Sequence, residues 1–219
     1  MKYTANDMPE ARPGHGTARK APYRGAGDAM KTNQKFSVLT PPQKLLNDLW
    51  DEHLRDEFTT KDAAAAIDTM LADAYVNHVP VLTGGVGREQ LTEFYSKHFI
   101  PKMPADTEIL RISRTIGPNR LVDEFIVCFT HSIEIDWMLP GIAPTGKRVE
   151  CATVAIVTFR NNKLFSEHIY WDQASVLVQL GLLDSSKLPI AGAETARKVL
   201  DPGLPSNHLM KRAADFPQG

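Results

Sequence analysis

From Thr107 onward the apolar residues of this chain change period. Ile109 to Ile116, Leu121 to Ile135, Val149 to Phe159 and Leu164 to Trp171 carry them at every second position, the repeat of a strand with one face in a core. The connectors are Gly117-Pro118-Asn119, a Pro-Gly loop over 140–146 and the pair Asn161-Asn162. Short links between successive strands predict an antiparallel meander.

Before Thr107 the period is helical. Pro41 and Pro42 stand where a helix can begin, and Leu45, Leu46, Leu49, Trp50 and Leu54 recur at helical spacing up to Phe58. Thr60 is the expected N-cap of a second helix whose apolar face is Ile67, Met70 and Leu71. Tyr75 to Leu82 is expected to be a short extended segment. Gly84-Gly85-Val86-Gly87 then breaks the chain before a third helix from Arg88, which Pro101 and Pro104 end. These glycines lack the Lys-Ser/Thr ending of a phosphate loop, so a structural turn is expected. A last helix is expected over about Ala174 to Leu183. Helices followed by antiparallel strands predict an α+β fold with the sheet curled over the helices.

One domain over 41–183 accounts for this pattern. Residues 1–38, rich in Gly, Pro, Ala, Lys and Arg, cannot bury enough surface to fold alone and are expected to be disordered. The 184–219 extension, with Pro189, Pro202, Pro205 and a short helical candidate near Glu194 to Val199, is expected to pack along the domain or across a dimer contact.

The formal charge of −1, from 25 basic and 26 acidic residues in 219, gives no field to draw in nucleic acid or an anionic membrane. No apolar run approaches the roughly 20 residues of a membrane span, and no signal-peptide core is visible at the start. A soluble, cytoplasmic protein with small-molecule or protein partners is the expectation. Cys128 and Cys151, both inside apolar strand patterns, make neither a disulfide framework nor a zinc site and are expected to be buried thiols.

The chemistry concentrates between Ile135 and Leu183. Asp136-Trp137-Met138 opens this stretch, and its final strand ends Tyr170-Trp171-Asp172-Gln173. An acid there, with Trp137 and Trp171 nearby, suits one carboxylate in an apolar pocket, where lost hydration raises its pKa. On a regular final strand His168, Tyr170 and Asp172 share one face, while Glu167, Ile169 and Trp171 share the other. The first face is either solvent or functional. Glu124 is the odd charge on a face with Ile126, Cys128 and Thr130, so it lies at an edge in water or is buried with a partner. His131 sits among Phe125, Val127 and Phe129, and His78 falls near the mouth of any pocket between sheet and helices. Histidines 78, 98, 131 and 168 show no short metal-binding spacing, so no metal is expected. No Gly-x-Ser-x-Gly elbow, dinucleotide fingerprint or Walker loop occurs, and no cofactor is expected.

The run Pro144-Thr145-Gly146 before a strand, then Glu167 through Tyr170-Trp171-Asp172, then Gln179-Leu180-Gly181 within Leu177 to Leu182, resembles the SnoaL-like polyketide cyclase branch of the nuclear transport factor 2-like superfamily, over about Leu45 to Leu183. The resemblance implies a cone-shaped fold, with a curved antiparallel sheet wrapped around N-terminal helices to enclose a pocket, commonly dimeric through the sheet. It also implies an aspartate acting as general acid/base without metal or cofactor, a role that falls on Asp172. The expected activity is a cyclase or isomerase acting on a hydrophobic, polyketide-like carbonyl compound. His168, His131 or Tyr170 would donate to the oxyanion, with Glu124 as a further acid/base candidate and His78, Tyr170, Trp137 and Trp171 against the substrate. Two alternatives stand beside it: a non-catalytic small-molecule-binding or dimerisation module, and lactone chemistry. The latter arises because the tail resembles a narrower subgroup named after dienelactone hydrolases.

Overall fold

Pro41 and Pro42 open α1 (Pro41–Phe58), where proline's missing N–H is harmless because the first helical amides have no partner in any case. Gln43 then does two jobs: its Oε1 accepts from the Thr40 amide at 3.0 Å, and its Nε2 donates to Ile116 O at 2.9 Å, tying the helix start to a strand end. The computed structural model describes residues 39–213, so the disorder expected for 1–38 lies outside the described residues.

The second helix, α2 (Ala63–Asp68), differs from expectation at both ends. Asp62 caps it, accepting from the Ala64 and Ala65 amides at 3.0 Å, whereas Thr60 bonds back to Asp56. Thr69 Oγ1 donates to Ala66 O at 2.6 Å and helps close the helix. Met70 therefore opens a strand, β1 (Met70–His78), instead of continuing a helical face. The glycine segment is itself a strand, β2 (Thr83–Val86), paired with β1. A Cβ on Gly84 would collide with Val76 O, and its φ of +134° is glycine territory.

A third helix, α3 (Gly87–Glu93), runs into a π-helical stretch, Phe94–Phe99. The wider turn lets the adjacent residues Phe94 and Tyr95 both be buried. The meander follows as β3 (Glu108–Ile116), β4 (Arg120–Thr130), β5 (Arg148–Arg160) and β6 (Lys163–Trp171), each antiparallel to the next. β4 stops at Thr130, earlier than expected, which frees Ile133 to Met138 to turn inward.

The six-stranded sheet has the order β2-β1-β6-β5-β4-β3; it is curved and unclosed. Contrary to the all-antiparallel expectation, β1 lies parallel to β6, with Val76 opposite Glu167 and His78 opposite Ile169. The helices and meander between these two strands bring the chain back in the same direction, as a parallel pair requires. Register shifts in the β1–β6, β3–β4 and β5–β6 pairs mark irregularities of the kind that bend a sheet.

After β6 come α4 (Gln173–Leu180), α5 (Glu194–Leu200) and α6 (His208–Ala213). On the sheet's outer face, Ala196 of α5 is buried with Ile126 and Cys128, and Arg197 holds Glu150 at 2.7 and 2.9 Å. Among the described residues no helix is long and apolar enough to cross a membrane.

Candidate active site

The concave face of the sheet, α1, the π-helical stretch and the loop after β4 enclose one cavity. By the room it leaves for the centre of a water-sized sphere it measures about 80 Å³; one water needs roughly 10–15 Å³ on that scale. Its wall is mostly aromatic and aliphatic. The polar exceptions include Glu57 from α1, Tyr95 from the π-helical stretch, His78 from β1 and Glu167 from β6.

Behind the two glutamates sits His53. Leu46, Trp50, His53 and Glu57 follow one another at helical spacing along the buried side of α1, so two polar groups occupy an otherwise apolar stripe. His53 Nε2 lies 3.1 Å from Glu57 Oε1, 3.2 Å from Glu167 Oε1 and 3.2 Å from the Tyr95 hydroxyl. On the far side of the ring, Thr69 Oγ1 is committed to Ala66 O and so accepts from His53 Nδ1 at 2.7 Å. The Nδ1 proton is thereby fixed, and Nε2 faces the carboxylates.

Burial opposes charge on His53, but Glu57 and Glu167 outweigh it and raise its pKa to about 10. For Glu167, burial raises the pKa and the His53 cation only partly offsets it. Burial, then Glu167 and Glu57, hold the Tyr95 phenol well above its usual range, so it stays protonated. Glu167 Oε1 has the ion-pair contact with His53 but no hydrogen-bond donor in line. One ligand atom each from His53, Glu57 and Glu167 lies within 4.8 Å of the others, close enough to share a proton or to hold a small cation.

A second group lies along the same wall. His78 packs against Trp137, Phe94, Phe99 and Trp171 at ring-centroid distances of 5.0, 5.5, 5.7 and 5.7 Å. Burial lowers its pKa to about 4, so this imidazole is neutral at pH 7. Trp137 is brought in by the loop after β4, which is pinned by Thr83 Oγ1 donating to Trp137 O (2.7 Å), Gln173 Nε2 to Met138 O (3.1 Å), and His98 Nδ1 against Asp136 Oδ2 (2.9 Å).

His78, Trp137 and Trp171 thus border one cavity. The other sequence candidates do not. Asp172 is exposed and caps α4, its Oδ1 accepting from the Ser175 amide at 3.1 Å. His168 and Tyr170 lie on the outer face, where His168 Nε2 meets Tyr75 OH at 3.1 Å and Tyr170 is 42 % exposed. Glu124 is also on that face and accepts from Ser113 Oγ at 2.8 Å. His131 Nδ1 accepts from the Thr145 amide at 3.3 Å, holding the Pro-Thr-Gly loop, and burial lowers its pKa. The alternation expected for β6 holds, but the face with Glu167, Ile169 and Trp171 is the one that borders the cavity. Neither thiol is poised as a nucleophile: burial raises Cys151 to about 12 and also raises Cys128.

The SnoaL-like domain model matches residues 51–167, more than half of the 219 residues. Among solved structures, a putative SnoaL-like polyketide cyclase from Jannaschia sp. CCS1 superposes with a TM-score of 0.56 at 14% identity, over 68% of this chain and 99% of that one. AclR, a putative hydroxylase from Streptomyces galilaeus, gives 0.51 at 20% identity over 65% and 88%. TsrD from Streptomyces laurentii gives 0.52 at 13% identity over 67% and 100%. At these identities the structures speak for the fold alone. No curated protein matches the sequence. The family model and the shared fold agree, and the chain belongs to the SnoaL-like family.

Proposed function

We propose that this protein catalyses proton transfer on an uncharged, apolar carbonyl compound held in the cavity, as an isomerase or a cyclase that needs no cofactor. The observation that carries this reading is Glu167: a carboxylate on the wall of an apolar cavity, beside a buried imidazolium and a protonated phenol. Loss of hydration makes such a carboxylate a better base than it is in water.

Glu167 would take a proton from the carbon next to the carbonyl, and the electron pair would move onto the carbonyl oxygen. The Tyr95 hydroxyl, which contacts Glu167 and Glu57 and stays protonated, would turn to donate to that oxygen as charge develops. With two carboxylates and one imidazolium the cluster carries a net −1, and taking up the proton brings it to neutral while His53 stays paired with Glu57. Returning the proton to another carbon completes an isomerisation. Alternatively, attack of the enolate on a second carbonyl closes a ring, and the proton goes to the new alkoxide. The enclosed wall would hold the chain in a reactive shape. A putative SnoaL-like polyketide cyclase among the structures that share this fold is consistent with this reaction class. We place the base at Glu167 in preference to Asp172, because Asp172 does not border the cavity.

A homodimer through the sheet would have to use the part of the outer face that α5 leaves uncovered, around Tyr75, His168 and Tyr170; light scattering that returned the mass of one chain would exclude it. The test of the catalytic reading is deuterium uptake from D₂O into a panel of enolisable aryl ketones, followed by proton NMR. Exchange by the wild-type protein that disappears in folded Glu167→Gln supports Glu167 as the base. Equal exchange in both proteins would sink that assignment, and binding without exchange would leave a binding module.

A further inference from the structure

The chain has three tryptophans. Trp50 Nε1 donates to Asp123 Oδ2 at 2.9 Å and Trp171 Nε1 to Gln173 Oε1 at 2.7 Å, whereas Trp137 Nε1 is buried with no partner among the described residues. His78, whose ring centroid is 5.0 Å from that of Trp137, also has a buried nitrogen, Nδ1, without a well-aligned partner among the described residues, although the Thr83 backbone reaches the ring. Both residues border the cavity. Buried polar atoms are almost always paired, so two that lack a well-aligned partner, in adjacent rings of one cavity wall, need an explanation.

The strand register gives their position. His78 pairs with Ile169 and Val76 with Glu167, so His78 stands two residues beyond the level of Glu167, roughly 7 Å at about 3.3 Å per residue. One six-membered ring with its substituents bridges such a gap. No Lys or Arg borders the cavity among the described residues, while two glutamates do. An anionic ligand would meet like charge and no counter-ion.

We propose that Trp137 and His78 form the polar anchor of the cavity, binding an acceptor oxygen of a compact, uncharged, planar ligand and selecting against carboxylates. The inference rests on the reading of the cavity as a carbonyl site and adds its specificity. The indole N–H donates to a ligand oxygen at the end of the ring remote from Glu167, distinct from the carbonyl oxygen that Tyr95 would serve. His78, kept neutral by burial, adds a polar contact without bringing charge. The surrounding rings of Phe94, Phe99 and Trp171 fit a flat molecule.

Three indole N–H signals in a proton–nitrogen NMR spectrum test this directly, with Trp50 and Trp171 as internal controls and Trp137→Phe for assignment. The probes are acetophenone, ethylbenzene as the same shape without an acceptor, and benzoate as its anionic counterpart. Acetophenone is expected to move the Trp137 indole proton downfield, beyond the ring-current change that ethylbenzene causes, and benzoate is expected not to bind. Trp137→Phe should weaken acetophenone about tenfold, the worth of one hydrogen bond, and leave ethylbenzene unchanged. Absence of acetophenone binding, an equal shift from ethylbenzene, equal losses for both ligands, or benzoate binding as tightly as the ketone would each overturn the anchor. Repeating the titration in Glu167→Gln separates the two proposals, since the anchor should survive there even if exchange chemistry is absent from both proteins.

Discussion

His53 Nε2 lies 3.2 Å from Glu167 Oε1, joining the first helix to the last strand of the sheet inside the molecule. Glu57 lies 3.1 Å from the same nitrogen, so one imidazolium holds two buried carboxylates on opposite walls of the cavity. Buried charges are tolerated only when they are paired, and removing one partner leaves the full cost of the other.

His53→Ala should therefore destabilise the protein by about 3–5 kcal/mol, the usual consequence of orphaning a buried ion pair. Adding Glu167→Gln to that background should recover part of the loss, because one of the stranded charges is removed. Urea denaturation of the single and double variants measures both effects. A single-variant loss below about 1 kcal/mol would mean that His53 does not carry the charge.

Glu167→Gln should lower the rate of proton transfer by about 10²–10⁴-fold, the range for loss of a general base, with the fold retained. Asp172→Asn should change the rate little, since asparagine caps a helix about as well as aspartate. Asp172→Ala should cost about 1 kcal/mol of stability through the lost bond to the Ser175 amide. Parallel rates and melting curves decide between the two acids, and a loss of rate in Asp172→Asn would return the base to Asp172.

The fold was legible because each strand carries its own alternation and each connector its own turn residues. The parallel pairing of β1 with β6 was not, because no local signal names a partner so distant along the chain. In the site, Trp137, Trp171 and His78 stand out as aromatics and histidine near a strand end, yet the acid beside them in sequence caps a helix. The stronger signal was fainter to the eye: Leu46, Trp50, His53 and Glu57 are spaced four, three and four residues apart, so two polar groups ride on an apolar stripe. Glu167 repeats it on β6 between apolar neighbours of the same face. Glu124 is also an acid on an apolar face, yet it lies on the outer side of the sheet and does not border the cavity. Periodicity identifies a face but not which face is inside, and the Tyr95 position depends on a π-helical turn that sequence spacing does not reveal.

Chelation should leave both melting temperature and turnover unchanged, because the His53 imidazolium already supplies the positive charge that Glu57 and Glu167 face. A loss of both on dialysis against a chelator, restored by a divalent ion, would make the three residues a cation site instead. Metal analysis of the purified protein gives the same answer independently.

The indoles offer a stability test that needs no ligand. Trp50→Phe removes the donor to buried Asp123, whereas Trp137→Phe removes an N–H that has no partner among the described residues. Leaving a buried acceptor short costs about 1–3 kcal/mol, so Trp50→Phe should be the more damaging by that order. Arg114 still holds Asp123 Oδ2 at 2.6 Å, which favours the lower end. Thermal melts of the two variants that coincide would count against the unpaired indole.

Stability should peak near neutral pH and fall on both sides, for opposite reasons. The folded-state pKa of His53 is raised from 6.5 to about 10, so its contribution is complete below pH 6.5 and is lost as pH rises through 10. Glu167, with its pKa also raised, keeps its proton longer in the folded state and acts in the same direction. His78 works the other way. Its folded pKa is lowered from 6.5 to about 4, so the unfolded chain binds the extra proton between those values and stability falls as pH drops from 6.5 towards 4. Each single proton gives a slope of at most about 1.4 kcal/mol per pH unit. Urea midpoints measured from pH 4 to pH 10 should show both limbs, with His53→Ala flattening the alkaline limb and His78→Phe the acid one. An acid limb unchanged in His78→Phe would show that the buried imidazole is not what titrates there.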